Sequence, residues 1–71
     1  MFSSNEFNAL IAKHGQTKED VAAIIGVNPA TLYRKISGVS DFTRREIQTI
    51  SRAYSLTADD INNIFFADKL A

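Results

Sequence analysis

Cysteine is absent from the 71-residue chain, which excludes both disulfides and thiolate metal sites. A chain this short has one core at most, and without such staples it must rely on well-formed helices. The 45% hydrophobic content permits that. The lack of cysteine fits a reducing cytosol. No stretch approaches the roughly 20 apolar residues of a membrane span. The opening Met1–Glu6 has no basic region leading into an apolar run, as a signal peptide would. A cytoplasmic location is therefore expected. There is a single histidine, His14, so no histidine pair can hold a metal. No nucleophile–base set or metal-ligand spacing appears, which argues against an enzyme and calls for no cofactor. Asp59-Asp60 reads as a helix start, where acids suit the dipole, and not as a general acid and base.

Net charge is also absent: eight lysines and arginines balance eight aspartates and glutamates. Taken alone, this counts against a nucleic-acid partner. The distribution says otherwise. Residues 31–52 carry Arg34, Lys35, Arg44, Arg45 and Arg52 against Asp41 and Glu46, an excess of three positive charges. The residues before them have an excess of one negative charge, and those after an excess of two. A basic middle is what phosphate contact needs, whatever the total.

The lone proline and the three glycines punctuate five short helices. The first runs from about Ser4 to Lys13, with Ser3 and Glu6 spaced as a capping box and Gly15 as its stop. Phe7, Leu10, Ile11 and His14 share one of its faces. The second runs from Lys18 to Ile25 behind the N-cap Thr17, with Val21, Ile24 and Ile25 as its apolar face, and ends at Gly26. The third has Asn28 as N-cap and Pro29 in its first turn, buries Leu32 and Ile36, and ends at Gly38. The fourth starts at Thr43, boxed with Glu46, and turns Ile47, Ile50 and Tyr54 inward with Ala53 filling in. The fifth starts at Thr57 and carries Ile61, Ile64 and Phe65. No segment alternates with the period of a strand. The expectation is a compact all-α domain spanning residues 1–71.

The informative segment is Gln16–Gly38. Two short helices joined by only a few residues must cross steeply, so the second projects from the body. Ala22 sits where they approach most closely, Gly26 makes the sharp turn, and Val27 and Leu32 plug the space between. The outer face of the projecting helix then presents Ala30, Tyr33, Arg34 and Ser37, a small, polar and basic set suited to a major groove.

Gln16-Thr17-Lys18, Ala22, Gly26-Val27, Leu32 and Ile36 resemble the Cro and repressor helix-turn-helix family of phages and mobile elements. The run Thr31–Gly38 and the closing Ile61–Phe66 look like small regulators of Gram-positive phages. The five-helix layout extends the resemblance over most of the chain. It implies a bundle of the lambda-repressor-like DNA-binding type. It also implies a transcription regulator that acts by occupying an operator. In that family the third helix reads bases, so the resemblance makes Asn28, Ala30, Thr31 and Arg34 the candidates for base contact. Arg34 leads, because its planar fork can bond guanine O6 and N7 together. Gln16, Thr17 and Lys18 would meet phosphate at the start of the second helix, helped by its free amides. Tyr33, Lys35 and Ser37 would meet backbone too, and Ser40, Thr43, Arg44 and Arg45 would form a second anion site.

The chain departs from the family pattern at Pro29 and Ala30, where many members carry glutamine or another base-reading residue. Its recognition helix therefore starts chemically poor, which implies weak sequence specificity, and the neutral total charge implies few phosphate contacts and so reliance on dimerisation or a partner. As a homodimer it would read half-sites about one helical turn apart. The same features, with the acidic tail, motivate an alternative: an antirepressor or modulator that binds a phage repressor protein. Phe66 and Leu70 are the candidates for a protein interface, although both can equally finish a small core.

Overall fold

A computed structural model describes residues 1–67 of the chain, and Leu70 lies outside them. Among the described residues there are five α-helices and no strand: α1 (Ser4–Lys13), α2 (Lys18–Ile25), α3 (Pro29–Ile36), α4 (Arg44–Tyr54) and α5 (Ala58–Phe65). Every start carries a side-chain cap, from Ser3, Thr17, Asn28, Thr43 and Thr57 in turn. Three of these are full capping boxes: Thr17 with Asp20, Thr43 with Glu46 and Thr57 with Asp60. Each box satisfies two amides that a helix start leaves without intrahelical partners.

The expected box at Ser3 and Glu6 forms by half. The Ser3 hydroxyl accepts from the Glu6 amide at 3.2 Å. The Ser3 amide donates to the Ile64 carbonyl at 2.7 Å instead, tying the start of α1 to α5. A second bond, from the Ala67 amide to the Met1 carbonyl at 3.0 Å, extends this seam.

The ends of α1 to α4 repeat one device. At the close of α2 the Val27 amide donates to the Ala22 carbonyl at 3.0 Å and the Gly26 amide to the Ala23 carbonyl at 3.3 Å. Gly26 holds φ 76°, the left-handed conformation that this Schellman geometry requires. At the close of α4 the same position belongs to Ser55, at φ 53°, and the Leu56 amide reaches back to the Ser51 carbonyl at 2.9 Å.

α2 packs on α3 and α4, and α5 covers α1 and α4. Phe7, Val21, Leu32 and Ile50 lie wholly inside, with Ala22, Leu10, Ile11, Tyr54, Ile64 and Phe65 around them. Burying each large side chain stabilises the fold by roughly 1.5–3 kcal/mol. Phe2 and Phe42 close the core from outside the helices. The Phe2 ring centroid lies 5.4, 4.9 and 5.7 Å from those of Phe7, Phe42 and Phe65. The Cα radius of gyration, 11.1 Å, equals the value of about 11 Å expected for a tightly folded chain of this length.

Two inward assignments are corrected. Ile24 is exposed, because the inner stripe of α2 follows Lys18, Val21, Ala22 and Ile25 and leaves Ile24 at its margin. Ala53 is also exposed, one position round from the buried Ile50–Tyr54 line. His14 is solvent-facing, with its ring 4.9 Å from that of Tyr54.

Candidate nucleic-acid interface

α3 is built to be anchored on one side and open on the other. Leu32 is fully buried, Ile36 is half-buried, and Ala30, Tyr33, Arg34 and Ser37 are exposed. Its first turn contains no acidic residue, whereas α1, α2, α4 and α5 each have at least one. The positive end of its dipole is therefore met only by the neutral Asn28 cap. Its last turn carries Arg34 and Lys35.

The four residues expected at base edges differ in what they have left to offer. Among the described residues the Arg34 guanidinium has no hydrogen-bond or ion-pair partner, so all five donors of its fork are available. Its backbone carbonyl, in contrast, accepts from the Val39 amide at 2.9 Å, the Ser40 amide at 3.2 Å and the Ser37 hydroxyl at 3.2 Å. Those bonds fix the backbone from which the guanidinium extends. The Asn28 side-chain oxygen is committed to the Thr31 amide at 2.8 Å, which leaves its N–H2 to donate elsewhere. Ala30 is exposed and Thr31 half-buried.

The start of α2 is more crowded than its sequence implied. Asp20 occupies the Thr17 amide at 2.8 Å and the Thr17 hydroxyl takes the Asp20 amide at 3.2 Å, so of the amides expected to be free there only those of Lys18 and Glu19 are left. Gln16 is half-buried, and its side-chain oxygen accepts from the Tyr54 hydroxyl at 3.3 Å. This contact orients the amide and leaves its N–H2 to donate. Burial, then the nearby Asp20 carboxylate, raises the pKa of Tyr54 and keeps the phenol neutral. The Tyr33 hydroxyl donates to Glu19 at 3.1 Å, and the Lys18 ammonium lies 5.7 Å from the Tyr33 ring centroid. Tyr33 thus links the outer face of α3 to the first turn of α2. The hydrogen bond to Glu19, then its charge, raises the Tyr33 pKa.

At the start of α4, Arg44 and Arg45 are exposed in the first turn behind the Thr43 cap. Ser40 is half-buried in the preceding loop. Lys35 is the correction in this set. Sequence reasoning placed it on phosphate, but its side chain is buried, with its ammonium 2.9 Å from Glu46 Oε1 and 3.0 Å from the Asp41 carbonyl. The signal was available. Lys35 follows the buried Leu32 by three residues, which puts both on the same face. Glu46 is pushed up by burial, but the Thr43 backbone N–H and the Lys35 ammonium outweigh this and hold it below the usual glutamate range.

Phe66 packs against the core and lines a cleft of about 610 Å³ together with Phe2, Ile36, Phe42, Ile47 and Phe65. Phe2 and Phe42 were not singled out in the sequence. Both lie outside helical periodicity, so no stripe identifies them.

Two short helices joined by a left-handed turn, the second buried on one side and basic on the other, define a helix-turn-helix domain of the DNA-binding class. Residues 6–66 match the family model of the Cro/C1-type HTH DNA-binding domain. The chain belongs to this family, as the residues of Gln16–Gly38 led one to expect, and is a DNA-binding transcription regulator. No curated protein and no solved structure matches it. No helix among the described residues is long and apolar enough to cross a membrane.

Proposed function

We propose that the protein is a sequence-specific, Cro-like repressor that acts in the cytoplasm by occupying an operator. Its resemblance to phage regulators suits a part in a lysis–lysogeny switch. Arg34 is the principal base reader, pairing with a guanine in the major groove. Thr31, Ala30 and the Asn28 N–H2 make the lesser base contacts. Gln16, Thr17, Lys18, Ser40, Thr43, Arg44 and Arg45 flank the groove and hold phosphates; Tyr33 and Ser37, whose hydroxyls donate to Glu19 and to the Arg34 carbonyl in the free protein, join them by exchanging those bonds for phosphate. Two copies reading half-sites one helical turn apart would supply the affinity that a single short recognition helix lacks.

One observation carries this reading: an exposed, unpartnered arginine on the outer face of a helix anchored from behind. A bidentate arginine–guanine pair is worth about 1–3 kcal/mol of discrimination, or roughly 5- to 150-fold. Duplexes selected from a randomised pool give the probe. Arg34→Ala should lose that much preference for the selected duplex over a scrambled one and still melt as the wild type does. Retained preference would remove Arg34 from the base-reading role. Failure of the wild type to bind any duplex alone, with a complex forming once a phage repressor is added, would point to a modulator of that repressor instead.

A further inference from the structure

We infer that Lys35 and Glu46 are positioning residues for DNA binding, fixing the phosphate-facing start of α4 relative to the base-reading face of α3. The inference rests on the DNA-contact reading above and concerns two residues that touch no DNA in it.

The geometry is a shared carboxylate oxygen. Glu46 Oε1 accepts from the Lys35 ammonium at 2.9 Å and from the Thr43 amide at 2.9 Å. The Glu46 amide returns a bond to the Thr43 hydroxyl at 3.1 Å. One atom therefore joins the last turn of α3 to the cap of α4. The ammonium also holds the loop between them, through the Asp41 carbonyl at 3.0 Å, and sits 5.9 Å from the Phe42 ring centroid. The two side chains are only 9% and 13% exposed, so solvent screens the pair little. Arg34 precedes Lys35, and Arg44 and Arg45 lie between Thr43 and Glu46. Each end of the bridge is thus adjacent to a basic side chain offered to DNA. Loosening the bridge frees the loop to shift α4, and arginines that no longer reach their phosphates stop releasing counterions.

The test is a mutant cycle read by salt dependence, with a mixed-sequence duplex of about 20 base pairs as probe. One perturbation is K35M/E46Q, in which glutamine can still accept from the Thr43 amide. The other is R44A/R45A. Lys35→Met and Lys35→Arg are measured alongside, all at temperatures where circular dichroism shows each variant folded. R44A/R45A should lower the slope of log K against log salt by about 1.8, at 0.9 per phosphate. K35M/E46Q should lower it by a similar amount, and adding R44A/R45A to it should change little further. Lys35→Arg should restore most of the slope. Independent, additive effects, or a K35M/E46Q variant that is less stable but has the wild-type slope, would overturn the inference and leave the DNA interface standing. A wild-type background in which R44A/R45A changes nothing would overturn both.

Discussion

Ser55→Gly should stabilise the protein, and Gly26→Ala should destabilise it, for one and the same reason. Both positions close a helix in the left-handed region, at φ 53° and φ 76°. An L-residue there costs roughly 1–2 kcal/mol through contact of Cβ with its own backbone. Glycine removes that cost but gives the unfolded chain more freedom, which returns about 0.4–1 kcal/mol. The net gain for Ser55→Gly is about 0.5–1 kcal/mol. A domain of this length shifts its Tm by roughly 4–8 °C per kcal/mol, so the midpoint should rise by about 2–8 °C. At Gly26 an added Cβ would meet no atom within 4 Å. Crowding is therefore excluded, and Gly26→Ala should lose about 1 kcal/mol from backbone conformation alone. Thermal melts followed at 222 nm, with urea titrations to check that the m-value is constant, measure both. A Ser55→Gly protein that melts below the wild type would refute the argument and assign a stabilising role to the Ser55 hydroxyl.

Two further outcomes follow from the packing and the charges. Phe2→Ala should cost about 2 kcal/mol in urea denaturation, less than a fully buried phenylalanine because Phe2 is only half-buried; a loss below about 0.5 kcal/mol would mean that the four-ring cluster contributes little. Because Glu46 is held below the usual glutamate range, its contribution is present above the unfolded value and is lost as pH falls through the folded one. The Tm should therefore decline below about pH 5, and Glu46→Gln should flatten the decline without abolishing it, since the Thr57 amide and hydroxyl also hold Asp60 low. An unchanged pH profile in Glu46→Gln would contradict this.

The helices were legible because their ends are chemically marked. Thr17, Asn28, Thr43 and Thr57 announce the starts by offering an oxygen to an orphan amide, and Gly15, Gly26 and Gly38 announce three of the stops. Periodicity then located most of the core. It failed where a residue's surroundings come from elsewhere in the chain. Ile24 is apolar yet sits at the edge of a stripe only as wide as α3 and α4 require. Phe2 and Phe42 have no helical neighbours to align with, and only the fold brings them to Phe7 and Phe65. At the interface, the exposed face of α3 followed from sequence. Which polar atoms were already engaged followed only in part. The spacing of Lys35 from Leu32 marks it as inward-facing, but its partner Glu46 comes from α4 and only the fold supplies it; the Thr17–Asp20 pair, by contrast, has the same spacing as Thr43–Glu46 and was legible as a capping box.

The capping boxes bear on the charge balance. Asp20, Glu46 and Asp60 each spend their charge at short range on a helix start that itself carries roughly half a positive charge. Arg34, Arg44 and Arg45 have no such local partner among the described residues. A sum that gives each acid and each base equal weight therefore understates the field that an approaching polyanion meets. The two sets also answer to salt differently. Caps act through contacts under 3.3 Å that a surrounding ionic atmosphere scarcely reaches, while arginine–phosphate attraction weakens with every added ion. Raising the ionic strength should release the DNA long before it unfolds the protein.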